Sequence, residues 1–218
     1  MILVPVKNLE NAKQRLSPLL DAPERFALAE AMLADVLAAI AGWRARPATA
    51  VVTSDSVASA LARAHGFEIL EETENRSETD AIDMATQLCE TRGVAETLVL
   101  PGDIPLVTAE ELQHMAASVP PQGTLFVPAA DGRGTNAVWR RPAALFPLRF
   151  GNDSFLPHRR AAEASGLPVV VLKLEGIGLD VDRPSDLAAL LASQHDCRTL
   201  RLLRSWCLQE RLLAARGA

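Results

Sequence analysis

Apolar positions along this chain come in short continuous runs separated by longer stretches that are apolar on one side only. Residues 2–6 read as a buried strand, and residues 22–40 follow with Phe26, Ala29, Leu33, Val36, Leu37 and Ile40 on one helical face. Asp21 is placed to cap that helix and Pro23 falls in its first turn. Strand-like residues 49–53, helical 57–65, strand-like 67–70, helical 81–91 and strand-like 97–100 continue the alternation. Four β-α units in succession predict a mostly parallel sheet covered by helices on both faces.

The rhythm changes after Pro101. Residues 109–118 read as a helix and 124–127 as a strand. The glycine-rich turn Asp131-Gly132-Arg133-Gly134 then leads into 136–139 as a hairpin arm, which mixes an antiparallel piece into the sheet. Residues 154–164 are helical, 169–172 a strand and 179–181 a short extended segment. Residues 184–191 form a helix with Pro184 at its first position. The tail, residues 196–216, is expected as one amphipathic helix with Leu202, Leu203, Trp206, Leu212 and Leu213 apolar, docking on the domain or on a second copy; a homodimer is left open. No repeat or Pro/Ser linker divides the chain, so residues 1–218 are expected to form a single domain.

Composition narrows the function classes. With 49% hydrophobic and 22% charged residues the chain is neither disordered nor fibrous. A net charge of −5 gives no general attraction to nucleic acid or to an anionic membrane, so an anionic ligand must be held by a local basic cluster. Three widely spaced cysteines, Cys89, Cys197 and Cys207, make neither a zinc motif nor a disulfide framework. With no signal-like or spanning segment either, a cytoplasmic protein is the expectation.

In open parallel sheets ligands bind beyond the carboxyl ends of the strands. The loop after the first strand carries Lys7, Lys13 and Arg15 within nine residues, enough positive charge for a triphosphate, although it has neither a GxGxxG nor a GxxxxGK[ST] pattern and a solvated basic loop is the alternative. Leu98-Val99-Leu100-Pro101-Gly102-Asp103 ends an apolar strand in a carboxylate where a metal bridging phosphates can sit, the alternative being a turn or a helix cap. Because Thr108 already caps the next helix, the metal role is preferred. In Leu179-Asp180-Val181-Asp182 the two carboxylates share one face of an extended chain and repel unless a cation lies between them. Asp186, in the first turn of its helix, reads as structural. Around Thr135 and Asn136, and in Arg149-Phe150-Gly151-Asn152-Asp153-Ser154, glycine adjoins hydroxyl and amide groups suited to an anion. Ser154 begins a helix, where capping and ligand binding compete for the same oxygen; His158 reads as a surface or packing histidine.

Taken in order, VPVK…AKQRL, LPGDIPL, DGRGTNAV, RFGNDSFLPHRRAAEASGL and LDVDRPSDL resemble the guanylyltransferases of deazaflavin coenzyme (factor 420) biosynthesis, from about Ile2 to Leu191. The resemblance implies an α/β, Rossmann-like (GT-A-like) nucleotidyltransferase fold with a mixed, mostly parallel sheet flanked by helices. It further implies transfer of GMP from GTP to the phosphate of a three-carbon acid: 2-phospho-L-lactate, phosphoenolpyruvate or 3-phospho-D-glycerate. Carried over by position, Asp103, Asp180 and Asp182 bind magnesium. Lys7, Lys13 and Arg15 meet the nucleotide beside Val6 and Pro101, while Thr135, Asn136, Gly151 and Ser154 hold the acid. Relatives carry Gly-Leu-Asn where this chain has Glu78-Thr79-Asp80. Threonine there adds hydrogen-bonding capacity near the acid and tilts the expectation toward 3-phospho-D-glycerate. Arg183 replaces the usual threonine or serine cap. An anionic phosphate nucleophile needs no general base, so no catalytic His or Cys is expected. The rivals are a sugar-phosphate or molybdenum-cofactor type of nucleotidyltransferase, a glycosyltransferase on the same type of fold, and a non-catalytic nucleotide-binding module.

Overall fold

The computed structural model describes residues 1–72, 77–151 and 153–216, the side chains of residues 214–216 excepted. Asn152, singled out above, lies outside the described residues.

The first half is the expected β-α succession: β1 (Ile2–Pro5), α1 (Ala22–Gly42), β2 (Thr49–Thr53), α2 (Ser56–Ala64), β3 (Glu68–Glu71), α3 (Glu78–Thr91) and β4 (Thr97–Val99). The second half runs α4 (Ala109–Ser118), β5 (Gly123–Pro128), β6 (Thr135–Arg141), α5 (Phe155–Ala164), β7 (Val169–Val171), α6 (Glu175–Gly178), α7 (Pro184–Ala192), α8 (Arg198–Ser205) and α9 (Leu208–Arg216). The described strands form one sheet in the order β3-β2-β1-β4-β6-β5-β7. Only β6 runs against its neighbours β4 and β5, as the glycine-rich turn requires.

Both faces of the sheet are covered, and the period of two along each strand decides which face a side chain joins. Ile2, Val4, Val51, Leu125 and Trp139 pack with Leu33, Val36, Leu37 and Ile40 of α1. Leu3, Val52, Phe126 and Val138 turn the other way, onto Ile82 and Ala85 of α3 and Phe155 and Ala162 of α5. Asp21 and Glu24 form a reciprocal cap on α1, each side chain taking the other's backbone N–H at 2.8 and 3.0 Å.

Two local expectations are revised, one unanticipated helix is added, and the extended segment at 179–181 holds without joining the sheet. Helix α3 begins three residues early because Ser77 caps it through the Asp80 N–H (3.1 Å), in a polar turn that apolar periodicity does not mark. Helix α6 escaped notice because Gly-Ile-Gly is a poor helix former; it forms by docking, the Glu111 carboxylate taking the Gly176 N–H at 2.8 Å. Residues 179–181 are extended but join no ladder. The tail is two helices, not one: Cys207 at φ +50° breaks it, and Leu200, Leu203, Leu208 and Leu212 fold back onto Leu16, Leu20, Leu28 and Met32 of the same chain.

The strand order reverses between β1 and β4, which opens a crevice beyond their carboxyl ends. Because β6 is antiparallel to β4, with Val99 opposite Val138, its first residues Thr135 and Asn136 project past that same edge.

Candidate active site

The loop leaving β1 carries two 3-10 turns, Leu9–Asn11 and Gln14–Leu16, joined at Lys13 in the left-handed region (φ 56°). Asp55 steadies this loop from the next β-α connection by accepting the Leu9 N–H (2.9 Å) while capping α2. Lys13 turns inward, its side chain only 8% exposed. Its Nζ donates to Asp103 Oδ2 at 2.6 Å and Asp182 Oδ1 at 2.8 Å, carboxylates that lie 79 residues apart in the chain. Arg15 Nη1 stands 3.5 Å from Asp182 Oδ2. Two of the three carboxylates predicted to share a cation, Asp103 and Asp182, are therefore gathered, and in this structure the cation between them is the Lys13 ammonium.

Backbone contacts fix this convergence. The Val181 N–H reaches the Asp103 carbonyl at 3.1 Å, stitching the late segment to the loop after β4. Asp186 accepts the Asp182 and Arg183 N–H groups at 2.9 and 2.7 Å, so the residue read as structural holds the metal-candidate loop in place. Asn136, predicted to touch the acid, instead directs its amide to the Ile177 and Gly178 carbonyls and to Asp180 Oδ1 (3.0 Å), so it orients a carboxylate.

Two cavities flank the Lys13 bridge. One, of about 520 Å³, is lined by Lys7, Lys13, Glu78 and Asp103, with Val6 and Pro101 on its wall. The other, of about 310 Å³, is lined by Arg15, Gly151, Asp180, Asp182 and Arg183. Arg15 thus opens on the second cavity and not on the first, where a triphosphate loop reading placed it. Lys7 lies in the first, paired with the buried carboxylate of Glu72. No sequence pattern announces that pair, since 65 residues separate its members. Glu78 is a further acidic wall residue that sequence reasoning noted only as a departure.

The charges push one another in opposite directions. Burial lowers the Lys13 pKa, but Asp103 and Asp182 outweigh it and hold the ammonium more firmly than in an ordinary lysine. Burial opposes ionisation of Asp182, yet Lys13 and then Arg15 bring its carboxyl below the usual range. Asp180 goes up, through burial and the Asp103 charge, against the pull of Asn136. Burial and Asp103 push Glu78 up to about 7, Lys7 and Lys13 opposing.

The resemblance implies magnesium, and the donor chemistry fits it. Asp103 Oδ1 is a buried carboxylate oxygen without a hydrogen-bond partner among the described residues, and Asp180 is an acid raised by burial and then by the Asp103 and Asp182 charges. Such an uncompensated set of hard oxygens suits a divalent cation. As the side chains stand, no three His, Cys, Asp or Glu residues among those described close into a metal cage, because Lys13 occupies the space between two of them.

Of the residues predicted to hold the acid, Gly151 lines the second cavity, while Thr79, Thr135 and Ser154 line neither. Thr135 and Ser154 lie just behind the second cavity, where Thr135 Oγ1 is 3.0 Å from His158 Nδ1 and 3.3 Å from Ser154 Oγ, and His158 Nε2 takes the Arg149 N–H at 2.8 Å. Ser154 makes no capping bond, so its oxygen is not withheld from a ligand by α5. Gly151 adopts φ 144°, a conformation side chains resist, next to this loop. Thr79 accepts the Phe150 N–H at 3.0 Å and so braces the same loop. His158, set aside above as a packing residue, is buried at the centre of this network, and burial together with the Arg140 guanidinium pushes it down to about 4.

A family model described as "Guanylyl transferase CofC like" matches residues 1–212. The chain is 33% identical over 208 residues to a phosphoenolpyruvate guanylyltransferase of Roseiflexus castenholzii, covering 95% of each. It is likewise 33% identical over 205 residues to a 2-phospho-L-lactate guanylyltransferase of Methanothermobacter thermautotrophicus, covering 93% of this chain and 90% of the relative. Among solved structures, a putative nucleotide-diphospho-sugar transferase from Desulfovibrio desulfuricans superposes with a TM-score of 0.79 at 20% identity, over 98% of this chain and 96% of the other. That likeness speaks for the fold.

Proposed function

Because the chain belongs to the CofC-like guanylyl transferases, we propose that it transfers GMP from GTP to the phosphate of a small three-carbon acid, releasing pyrophosphate, in deazaflavin coenzyme biosynthesis. The observation that carries this reading is the Lys13 bridge between two cavities, one walled by Lys7 and Asp103, the other by Arg15 and Asp182. A nucleotide in the first and a phosphorylated acid in the second bring the α-phosphorus and the attacking phosphate oxygen together at the bridge.

The nucleophile is already anionic, so the work of the site is positioning and charge neutralisation. Lys7 and Lys13 stand where the departing diphosphate gathers charge, and Arg15 meets the incoming phosphate. Asp103, Asp180 and Asp182 are the residues that hold magnesium, which supplies hard Lewis-acid neutralisation of phosphate oxygens when bound. Thr135, Gly151 and Ser154 hold the acid. Among the three acids 3-phospho-D-glycerate is favoured on Thr79 alone, whose oxygen is taken by the Phe150 amide and whose proton meets no acceptor among the described residues.

The deciding experiment is mass spectrometry of products from GTP, magnesium and an equimolar mixture of the three acids, with Asp103→Asn run alongside. A GMP-acid conjugate, and turnover lower by about 10²–10³ in the variant, is expected from losing an electrostatic contact of this kind. No conjugate from the three acids but turnover when a sugar phosphate replaces them in a parallel reaction, or nucleotide binding with no turnover in either, returns the protein to the rival readings.

A further inference from the structure

Two hydroxyls and one imidazole lie directly behind the second cavity, Thr135 following Gly134 and Ser154 following Asp153 of its wall, and their protons can be counted. Thr135, Ser154 and His158 are 7%, 5% and 2% exposed, so their polar atoms must be satisfied locally. The Arg149 backbone N–H can only donate. His158 Nε2, 2.8 Å away, must therefore offer its lone pair, and the ring proton resides on Nδ1. Phe150 packs edge-on against the ring with centroids 5.3 Å apart, which holds that orientation. Nδ1 accordingly donates to Thr135 Oγ1 at 3.0 Å.

Thr135 and Ser154 then have two hydroxyl protons and one contact between them, at 3.3 Å. Whichever of the two donates in that contact, one proton is left over, and neither hydroxyl has a further acceptor among the described side chains and backbone groups. With the opposite tautomer, Thr135 would give its proton to His158 and Ser154 would give its own to Thr135, leaving none. We infer that His158 is a positioning residue for acceptor recognition: its Nδ1–H fixes the polarity of the Thr135–Ser154 pair, so that the pair presents one O–H donor to the acid. The matching ligand atom is an anionic oxygen, a carboxylate or phosphate oxygen of the acceptor. This rests on the functional reading above, in which these two hydroxyls face the acid.

Two measurements test it. Long-range ¹⁵N correlation spectra of the histidine-labelled enzyme at pH 7, assigned by comparison with His158→Phe, should show a neutral ring protonated at Nδ1. In steady-state kinetics, His158→Phe leaves the same spare hydroxyl proton but nothing to fix which oxygen offers it, so it should raise KM for the acid by about threefold or more and leave KM for GTP within about twofold. His158→Asn, whose amide offers a donor near the Nδ1 position, should recover most of the loss. Thermal melts and circular dichroism establish that both variants are folded. A folded His158→Phe enzyme with unchanged acid KM, equal rises in both KM values, failure of Asn to do better than Phe, or a ring protonated at Nε2 in active wild type each overturns the positioning role. A wild type that transfers GMP to none of the three acids overturns the functional reading itself.

Discussion

Glu78 carries one of the larger electrostatic displacements in this chain, alongside Arg140 and His158. Its carboxyl, partly buried beside Asp103, is pushed up to about 7 from a usual 4.5. An acid whose folded pKa lies above its unfolded value removes stability as pH climbs through the interval between the two, here from about 4.5 to about 7. Glu78→Gln keeps the shape and cannot ionise. In chelator-containing buffer it should melt with wild type near pH 4.5 and above it at pH 8, by about 2–6 °C if on the order of 1–2 kcal/mol survives partial exposure. Equal melting of the two proteins at pH 8 would show that the carboxyl ionises freely. Asp182 runs the other way: its depressed pKa contributes stability above the usual carboxylate range that is lost as acid protonates it. Lys13, Asp103 and Asp182 were each legible in the sequence as charged groups after strand ends. That the lysine stands between the two acids was not, because a loop's sequence does not state which way its side chains turn.

Among the elements, the C-terminal pair α8 and α9 is held to α1 by contacts that no local pattern shows. Asp35, midway along α1, takes the Arg198 N–H (2.8 Å), the Thr199 N–H (2.7 Å) and the Thr199 hydroxyl (2.6 Å), a helix cap supplied from 163 residues away. Arg211 of α9 reaches back to Glu24 at 2.7 Å. Asp35→Ala removes the cap of α8 at a cost of about 1–2 kcal/mol and should lower Tm by about 2–8 °C. Turnover at saturating substrate should hold, since Asp35 lines neither cavity. A fall in turnover with no change in Tm would place the tail in catalysis instead. At this scale the amphipathic pattern was legible and the break was not: Leu202 and Leu203 repeat correctly on either reading, and only Cys207 in the left-handed region reveals two helices. Gly176 shows the same limit. A Cβ there would come within 2.3 Å of the Leu106 carbonyl, so glycine is required by a close approach that becomes visible only once α6 is docked.

For the molecule as a whole, binding should knit together parts that the chain keeps far apart. The first cavity draws on the β1 and β4 loops and the start of α3, the second on the β5–β6 turn and the residues before α7. A ligand bound only by the folded state at about 100 times its Kd adds about 2.7 kcal/mol, so GTP with magnesium should raise Tm by about 5–10 °C. CTP under the same conditions should leave it within about 1 °C if guanine is the recognised base. Equal shifts from both nucleotides would mean that the triphosphate alone is read.

The sequence by itself determined the alternation of strands and helices, the single reversed arm after the glycine-rich turn, and the presence of a basic loop and three candidate carboxylates at strand ends. These follow from side-chain period, capping and turn chemistry, which act over a few residues. Tertiary structure decided which charges meet and what each polar group has left to offer. Lys13 lies between Asp103 and Asp182, Asn136 serves Asp180, and His158 sets the protons of Thr135 and Ser154, because hydrogen bonding is settled among groups brought together by the sheet, and the sheet joins segments that the chain places far apart.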